Sequence, residues 1–336
     1  MSAADVSAEP AQGATQGTGS LLPAFWPHRQ ASRFVVGAGL RWHVQIFEGQ
    51  AQGPDHQFHQ LQAPQEPREP RPARSDHPFR DLLLLHGAGA SAHSWRDIAP
   101  ALAQSLPQGS RVIVPDLPGH AFTARPGDEG LSLPGMARLV NELLDVLEAR
   151  PVALIGHSAG AAVAARMALD APAALRDVRT LISLNGAWLP PAGQGRWFYA
   201  PLARLFALNP WVPHVFAFHA SHRGPLERLI ASTGSRLDAA GIDLYAHLVS
   251  DRRHVAAVLA MMAAWDLRPL LEDLPRLAPA LHLVVAEEDR TVPPKTSAEA
   301  ARRQPRALLH RLPGLGHLAH EEAPDVVLEL LKRLLV

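Results

Sequence analysis

Short apolar runs recur along the chain from about residue 82, and stretches with helical spacing separate them. Strands that are buried on both faces of a parallel sheet are apolar at nearly every position, so these runs predict such a sheet. The runs are Leu82–Leu85, Val112–Val114, Val152–Ile155, Thr180–Leu184, Leu281–Val285 and Leu308–Arg311. Ahead of them, the alternation in Ser32–Glu48 around a Gly-Ala-Gly turn predicts an opening hairpin.

The intervening stretches carry apolar residues three and four positions apart, which is the spacing of a helix face. They are Ser94–Gln104, Ser132–Ala149, Ala159–Leu169, Pro294–Arg303 and Glu321–Leu335. This alternation predicts an α/β fold in which helices flank a mostly parallel central sheet.

One long interval breaks the alternation. From 188 to 275 the chain is helical and aromatic without a clear strand, which is too long for a simple connection and predicts a helical lid inserted after strand six. Eight of the chain's 19 aromatic residues lie between Trp188 and Phe218. They indicate a binding wall, although any one of these rings could equally belong to the core of the lid itself.

Two polar stretches complete the predicted organisation. Residues 49–79 are rich in Pro and Gln with almost no aliphatic side chains, and predict a flexible insertion. Residues 1–31 begin with a small, polar stretch that lacks the apolar region of a signal peptide, and predict a disordered tail. The α/β core therefore comprises 32–187 and 276–336, and the lid comprises 188–275.

Composition excludes several classes of function. The 32 basic and 32 acidic residues cancel, so no net charge favours nucleic acid as a partner. The absence of cysteine excludes disulfides, thiolate catalysis and cysteine zinc sites. No run of about 18 apolar residues is free of charge and proline, so we expect no membrane span. A cytoplasmic location is the default expectation, and peripheral contact with a membrane through an apolar face stays open.

The sequence Gly156-His157-Ser158-Ala159-Gly160 lies between an apolar run and an Ala-rich helical stretch. This context predicts a nucleophile elbow, a sharp turn from strand to helix that needs glycines on both sides of the serine. The turn would hold the Ser158 hydroxyl at the carboxyl edge of the sheet. Ser158 is therefore the predicted nucleophile.

A serine hydroxyl needs a general base, and histidine has the suitable pKa. Among 18 histidines, His317 lies in the loop after the last predicted strand, where it opens at the same edge of the sheet as the elbow. His320 is the fallback, although its position indicates the first turn of the following helix.

The third member of a triad must orient the base. Asp289 follows the strand Leu281–Val285 and gives the chain order Ser, Asp, His that this kind of elbow usually has. Glu287 and Glu288 are nearby rivals. The alternative position for an acid, after strand Thr180–Leu184, holds the uncharged Asn185.

An oxyanion site needs two N–H donors. We expect them from Ala159, which follows the nucleophile, and from Ala88 in the glycine-rich loop after strand Leu82–Leu85. A phosphate-binding role for that loop is disfavoured because no Lys-Ser/Thr pair follows it. The predicted substrate pocket comprises His86, Gly87, His157, Trp188, Trp197, Phe198 and Trp211.

We expect neither a metal nor a cofactor. The pairs His56 with His59 and His219 with His222 have a spacing of three, but neither forms the H-E-x-x-H arrangement of a metal site. Solvated or packed histidines explain them better.

With these motifs in place, the chain resembles the α/β-hydrolase superfamily, and Asp116-Leu117-Pro118-Gly119-His120 matches its turn after strand four. Ala121 stands where a second glycine is common, which predicts strain in that turn. Within the superfamily the chain is most similar to the magnesium-chelatase accessory family of bacteriochlorophyll biosynthesis (the BchO type). The stretches that carry this similarity from Trp26 onward include LRWHVQ, HGAGASAHSWRDIAP, SLNGAWLPP, STGSRLDAAGIDLY and MMAAWDLRPLLEDLP.

The resemblance implies support of magnesium insertion into protoporphyrin IX in a phototrophic bacterium, with magnesium chelatase subunits as partners. An aromatic lid suits a flat, apolar tetrapyrrole substrate. Three hypotheses for function follow: a serine hydrolase that acts on a tetrapyrrole, a general carboxylesterase or C–C bond hydrolase for a small apolar substrate, and a non-catalytic porphyrin-binding accessory.

Overall fold

The computed structural model describes residues 22–51, 81–170, 175–189 and 223–335. Within them, one eight-stranded sheet has the order β1-β2-β4-β3-β5-β6-β7-β8. The first two strands pair antiparallel with each other and β2 pairs antiparallel with β4, whereas all other pairs are parallel. The strands are β1 (Ser32–Gly37), β2 (Leu40–Glu48), β3 (Asp81–Leu85), β4 (Arg111–Pro115), β5 (Pro151–His157), β6 (Thr180–Leu184), β7 (Ala280–Ala286) and β8 (Leu308–Leu312).

The helices of the described residues are α1 (Ala99–Ser105), α2 (Leu133–Val146), α3 (Ala159–Asp170), α4 (Arg223–Ser232), α5 (Ala239–Ser250), α6 (Arg252–Ala264), α7 (Arg268–Asp273), α8 (Lys295–Arg303), α9 (Ala319–Glu322) and α10 (Pro324–Leu334). Short 3-10 turns connect several of them. Among the described residues no single helix is long and apolar enough to cross a membrane, although the bent pair 252–264 and 268–276 meets the length and composition test together.

Two predicted helices are divided in the structure. The stretch 94–104 is a 3-10 turn, Ala92–Trp95, followed by α1, and the C-terminal stretch is α9 followed by α10. Pro324 opens α10. Because proline lacks an N–H and restricts the residue before it, it begins a new helix here instead of continuing the old one.

Each face of the sheet is covered by apolar side chains. Alternate residues of β3 contribute to opposite cores: Leu83 and Leu85 pack with α2 and α3, and Leu82 and Leu84 pack with α1 and α10. This two-sided burial explains why the strand is apolar at every position after Asp81.

The parallel strands place several loops at one edge. β5 lies between β3 and β6, and β7 and β8 follow in order. Because parallel strands all end on the same side, the loops that follow β3, β5, β7 and β8 open together at the carboxyl edge. These loops contain the predicted nucleophile, acid and base, and the residues predicted to bind the oxyanion.

The chain between β6 and β7 is helical where it is described, with α4 to α7 before β7. Residues 190–222, which include Trp197, Phe198 and Trp211, lie outside the described residues, as do residues 52–80 of the predicted insertion. We call the chain between β6 and β7 the β6–β7 segment. Its function as a lid stays a prediction.

The predicted disordered tail of 1–31 extends too far. Residues 22–31 are packed: Trp26 is 2% exposed, and with Leu22 it contacts Leu244 and Leu248 of α5. The Trp26 ring also meets Phe122 edge-on at a centroid distance of 4.8 Å. These partners lie far away in sequence, so local composition could not reveal them. Residues 1–21 lie outside the described residues.

Candidate active site

The backbone at Ser158 adopts a left-handed conformation with a φ of 51°. Non-glycine residues in this conformation cost about 1–2 kcal/mol and persist where the surrounding structure enforces them. A Cβ added to Gly156 would lie 2.4 Å from the nitrogen of Ala161, and one added to Gly160 would lie 2.3 Å from the carbonyl oxygen of Leu85. The turn therefore requires glycine on both sides of the serine.

Three side chains form a continuous hydrogen-bonded chain at this turn. The Ser158 hydroxyl Oγ lies 3.1 Å from His317 Nε2, and His317 Nδ1 lies 2.7 Å from Asp289 Oδ2. A carboxylate accepts, so Nδ1–H donates to it and Nε2 is left to accept from the serine hydroxyl. Ser158, His317 and Asp289 are 8%, 6% and 5% exposed.

The second carboxylate oxygen of Asp289 fixes the orientation of this side chain. Asp289 Oδ1 accepts hydrogen bonds from the N–H groups of Thr291 and Val292, each at 2.8 Å. The rivals Glu287 and Glu288 are exposed, and Glu287 is paired with Arg311 at 3.5 Å. Of the three acids in this loop, Asp289 is the one within hydrogen-bond distance of His317.

Asn185 joins the base loop to the sheet. Its side-chain Nδ2 donates to the carbonyl of His317 at 2.9 Å, and its Oδ1 accepts from the N–H of Ala286 at 2.8 Å. The residue itself has a φ of 48°. Sequence reasoning treated Asn185 as an empty acid position and missed this role, which depends on partners about a hundred residues or more away.

The glycine-rich loop after β3 lies directly against the elbow. A Cβ added to Gly87 would lie 3.1 Å from Ser158 Cβ and 2.7 Å from His157 Nδ1. Within the described part of the chain, the N–H groups of Ala88 and Ala159 donate no hydrogen bond. Both stay the candidate oxyanion donors, and Ala88 is exposed.

Two histidines that were predicted for the pocket, His86 and His157, are buried and bonded to the backbone of the loops around Ser158. His86 is fully buried; its Nδ1 donates to the carbonyl of Gly87 at 2.8 Å and its Nε2 accepts from the N–H of Leu117 at 2.8 Å. His157 donates from Nε2 to the carbonyl of His317 at 2.9 Å. Burial lowers the pKa of His86 to about 3 and that of His157 well below its ordinary value, so both rings are neutral.

A third buried histidine comes from the β6–β7 segment. His254 on α6 donates from Nε2 to the carbonyl of Gly89 at 3.2 Å, and its Nδ1 accepts from the N–H of Ala121 at 3.0 Å. Burial lowers the pKa of His254 to about 4. The φ of Ala121 is 44°, which confirms the strain predicted for the turn after β4.

The remaining predicted pocket residues fall into two groups. Trp188 is fully buried and belongs to the larger apolar core. The other aromatic residues predicted for the pocket lie outside the described residues: Trp197, Phe198 and Trp211. The fallback base His320 is also buried, and it packs on His157 at a centroid distance of 4.4 Å instead of reaching the serine.

A buried acid next to the base loop was also missed. Glu321 accepts from the Tyr245 hydroxyl at 2.7 Å and from the Arg96 guanidinium at 2.8 Å. These contacts join α9 to α5 and to the loop after β3. Burial raises the pKa of Glu321 to about 7. The described residues contain no group of three or more His, Asp or Glu side chains arranged to hold a metal ion.

Comparisons with known proteins agree with the fold. A model of the alpha/beta hydrolase family matches residues 82–330. The magnesium-chelatase 30 kDa subunit of Rhodobacter capsulatus is 38% identical over 305 residues, which cover 90% of this chain and 94% of that protein.

Solved structures with low sequence identity are similar to this chain in fold. An alpha/beta hydrolase fold protein from Burkholderia ambifaria has a TM-score of 0.65 at 20% identity, over 95% of this chain and 99% of that one. An esterase from Exiguobacterium antarcticum has a TM-score of 0.67 at 16% identity, over 90% of this chain and 98% of that one. The α/β-hydrolase fold predicted from the sequence is confirmed.

Proposed function

We propose that this chain, which belongs to the alpha/beta hydrolase family, is a serine hydrolase with Ser158 as its nucleophile. The observation that carries the proposal is the chain of contacts from Ser158 Oγ through His317 to Asp289, at 3.1 and 2.7 Å. These distances are within the hydrogen-bond range that a nucleophile, a general base and an orienting acid need for acyl transfer.

In the proposed reaction, Ser158 Oγ attacks an acyl carbon while its proton moves to His317 Nε2. Asp289 stabilises the resulting imidazolium. The N–H groups of Ala88 and Ala159 bind the oxyanion, the leaving group takes the proton from Nε2, and an acyl group stays on Ser158. Water, deprotonated by His317, then releases the acid and restores the serine.

The same groups would cleave an ester or an activated C–C bond. Epoxide and haloalkane hydrolysis of the kind that uses a carboxylate nucleophile is disfavoured because Ser158 occupies that position.

We further propose that the substrate is a tetrapyrrole and that the protein supports magnesium chelatase. This proposal comes from the identity of 38% to the magnesium-chelatase 30 kDa subunit over most of both chains. The aromatic residues in 197–218 suit a flat, apolar ligand. The alternatives are a carboxylesterase or C–C bond hydrolase for a small apolar substrate and a porphyrin-binding accessory without catalysis.

The nucleophile is tested by labelling with a fluorophosphonate and by hydrolysis of an activated ester. We expect the wild-type chain to be labelled and Ser158→Ala to be unlabelled, with a loss of hydrolysis of about a thousandfold or more. Circular dichroism should show both proteins folded. Equal labelling or equal turnover of the two proteins would contradict the proposal.

The substrate class is tested by protection. Protoporphyrin IX or its magnesium form should quench tryptophan fluorescence with micromolar affinity or better, which corresponds to a binding free energy of about −8 kcal/mol. It should also slow the labelling of Ser158 by the fluorophosphonate. Trp197→Ala and Trp211→Ala should weaken the quenching, whereas Ser158→Ala should not. Quenching by a protein that the probe never labels would favour the non-catalytic accessory. Labelling that porphyrin does not slow would favour the small-substrate hydrolase.

A further inference from the structure

We propose that the turn Thr233–Ser235, which follows α4 in the β6–β7 segment, is a positioning element that sets the contact between Asp289 and His317. This inference depends on the proposed function, since it assigns a role in aligning the same triad. The turn lies outside the sheet whose loops carry Ser158, Asp289 and His317.

The carbonyl of Thr233 joins the acid loop to the base loop. It accepts from the N–H of Arg290 at 3.1 Å and from the N–H of His317 at 3.3 Å. Arg290 is the neighbour of Asp289 in the chain. One oxygen with two lone pairs therefore connects the backbone at the orienting acid to the backbone at the base.

Two glycines allow this close approach. Gly234 has a φ of 90°, and a Cβ added to it would lie 2.0 Å from the carbonyl oxygen of Glu288. A Cβ added to Gly316 would lie 2.3 Å from the carbonyl carbon of Gly234. The backbone of the turn is thus in direct contact with the residues that precede Asp289 and His317.

Ser235 completes the contact with the base loop. Its side chain is buried, and its Oγ accepts from the N–H of Leu318 at 2.8 Å. The turn consequently contacts the chain immediately before and after each of the two residues: at 288 and 290 in the acid loop, and at 316 and 318 in the base loop.

These contacts complement others that hold the same two residues. Asn185, which directly follows β6, holds the carbonyl of His317, and the N–H groups of Thr291 and Val292 in the acid loop hold the carboxylate. The turn adds a connection from α4 to both loops. A displacement of α4 would therefore change the separation of Asp289 and His317, and so couple the β6–β7 segment to the competence of the triad.

The test compares three variants of neighbouring residues. Ser235→Ala removes the acceptor for Leu318, and Gly234→Ala places a methyl group against the carbonyl of Glu288. Ser232→Ala is the matched control, because its exposed Oγ donates to the carbonyl of Leu229 within α4 at 2.6 Å and to no other group of the described residues. Ser235→Thr keeps the hydroxyl and is the rescue variant.

We expect kcat for an activated ester, and the rate of fluorophosphonate labelling, to fall about tenfold or more in Ser235→Ala and Gly234→Ala, with KM little changed. The acidic limb of the pH–rate profile should move to lower pH, because a carboxylate held less closely stabilises the imidazolium less. Ser232→Ala should behave as wild type, and Ser235→Thr should recover most of the activity.

The inference would be overturned if the activity lost by each variant were explained by its lower folded fraction in thermal melts and its pH–rate profile were unchanged. A Ser232→Ala defect as large as that of Ser235→Ala would also overturn it. Failure of the proposed function looks different: the wild-type chain and Ser158→Ala would then hydrolyse the ester and react with the probe alike.

Discussion

At Asp289 both carboxylate oxygens are in use. Oδ2 accepts from His317, and Oδ1 accepts from two backbone N–H groups of its own loop. The backbone bonds fix the carboxylate plane, so the oxygen that faces the histidine has little freedom. This arrangement selects the ring tautomer whose Nε2 can accept the serine proton.

Asp289→Asn is therefore expected to reduce kcat by about a thousandfold or more, because the amide can donate to Nδ1 and favour the opposite tautomer. The fold should be retained, since an amide oxygen can still accept from Thr291 and Val292. Steady-state hydrolysis of an activated ester measures the effect.

Glu288→Gln is the matched control one position earlier. Its side chain is exposed, so its kcat should stay within about threefold of wild type, as for most surface changes. A larger loss in Glu288→Gln than in Asp289→Asn would mean that the orienting acid is misassigned.

The sequence predicted which residue types meet at the site, because each lies just after a strand and parallel strands end at one edge. It did not predict Asn185 or Ser235 as partners of the base loop. Both act through side-chain hydrogen bonds to distant backbone groups, and no local pattern distinguishes such residues from ordinary loop residues.

At the scale of elements, the elbow depends on how closely α3 approaches β3. Gly160 occupies the first turn of α3, where a side chain would meet the backbone oxygens of Leu85 and His86 at 2.3 and 2.6 Å. Backbone cannot move aside as a flexible side chain can, so this contact joins the helix that follows Ser158 to the strand that precedes the glycine-rich loop.

Gly160→Ala should lower stability by about 1–3 kcal/mol through overpacking, which corresponds to several degrees in Tm. Gly224→Ala in α4 is the control, because the nearest atom to an added Cβ is a flexible arginine nitrogen 3.7 Å away. Its Tm should be unchanged or slightly higher, since alanine favours a helix. Thermal melts would contradict the argument if both variants lost the same stability.

Strands were easier to predict than helices in this chain. Burial on both faces makes the central strands β3 to β6 nearly continuous apolar runs, whereas the ends of helices depend on prolines and caps. Local pattern gave the wrong extent at three places: the divided stretch 94–104, the break between α9 and α10 at Pro324, and the packing of residues 22–31 against α5.

For the whole molecule, buried histidines dominate the expected response to acid. Burial lowers the pKa of His86, His120 and His320 to about 3, and neither ring nitrogen of His320 has a hydrogen-bond partner among the described residues. In the unfolded chain these groups bind protons near pH 6.5. The unfolded state therefore gains protons first as pH falls.

Stability should consequently be full above about pH 6.5 and decline towards pH 3, by up to about 1.4 kcal/mol per pH unit for each such histidine. Glu321 acts in the opposite direction: its pKa is raised to about 7, so on its own it would add stability as pH falls below 7. The several histidines outweigh this single acid.

His320→Phe tests the linkage. Phenylalanine preserves the ring packing on Trp95 and His157 and removes one group that the folded state cannot protonate. The Tm advantage of the variant over wild type should be larger at pH 5.5 than at pH 7.5. An equal difference at the two pH values would mean that His320 does not contribute to acid sensitivity.

The residues of the candidate site lie far apart in sequence, which affects when the site can form during synthesis. Ser158 and its base are 159 positions apart, and β7, β8 and the turn at Thr233 must all be in place before the two can meet. A ribosome-bound chain that has completed only β1 to β6 carries an elbow without a base or an orienting acid. The proposed function therefore predicts that the serine is unreactive on the nascent protein and becomes reactive only after the last strand joins the sheet.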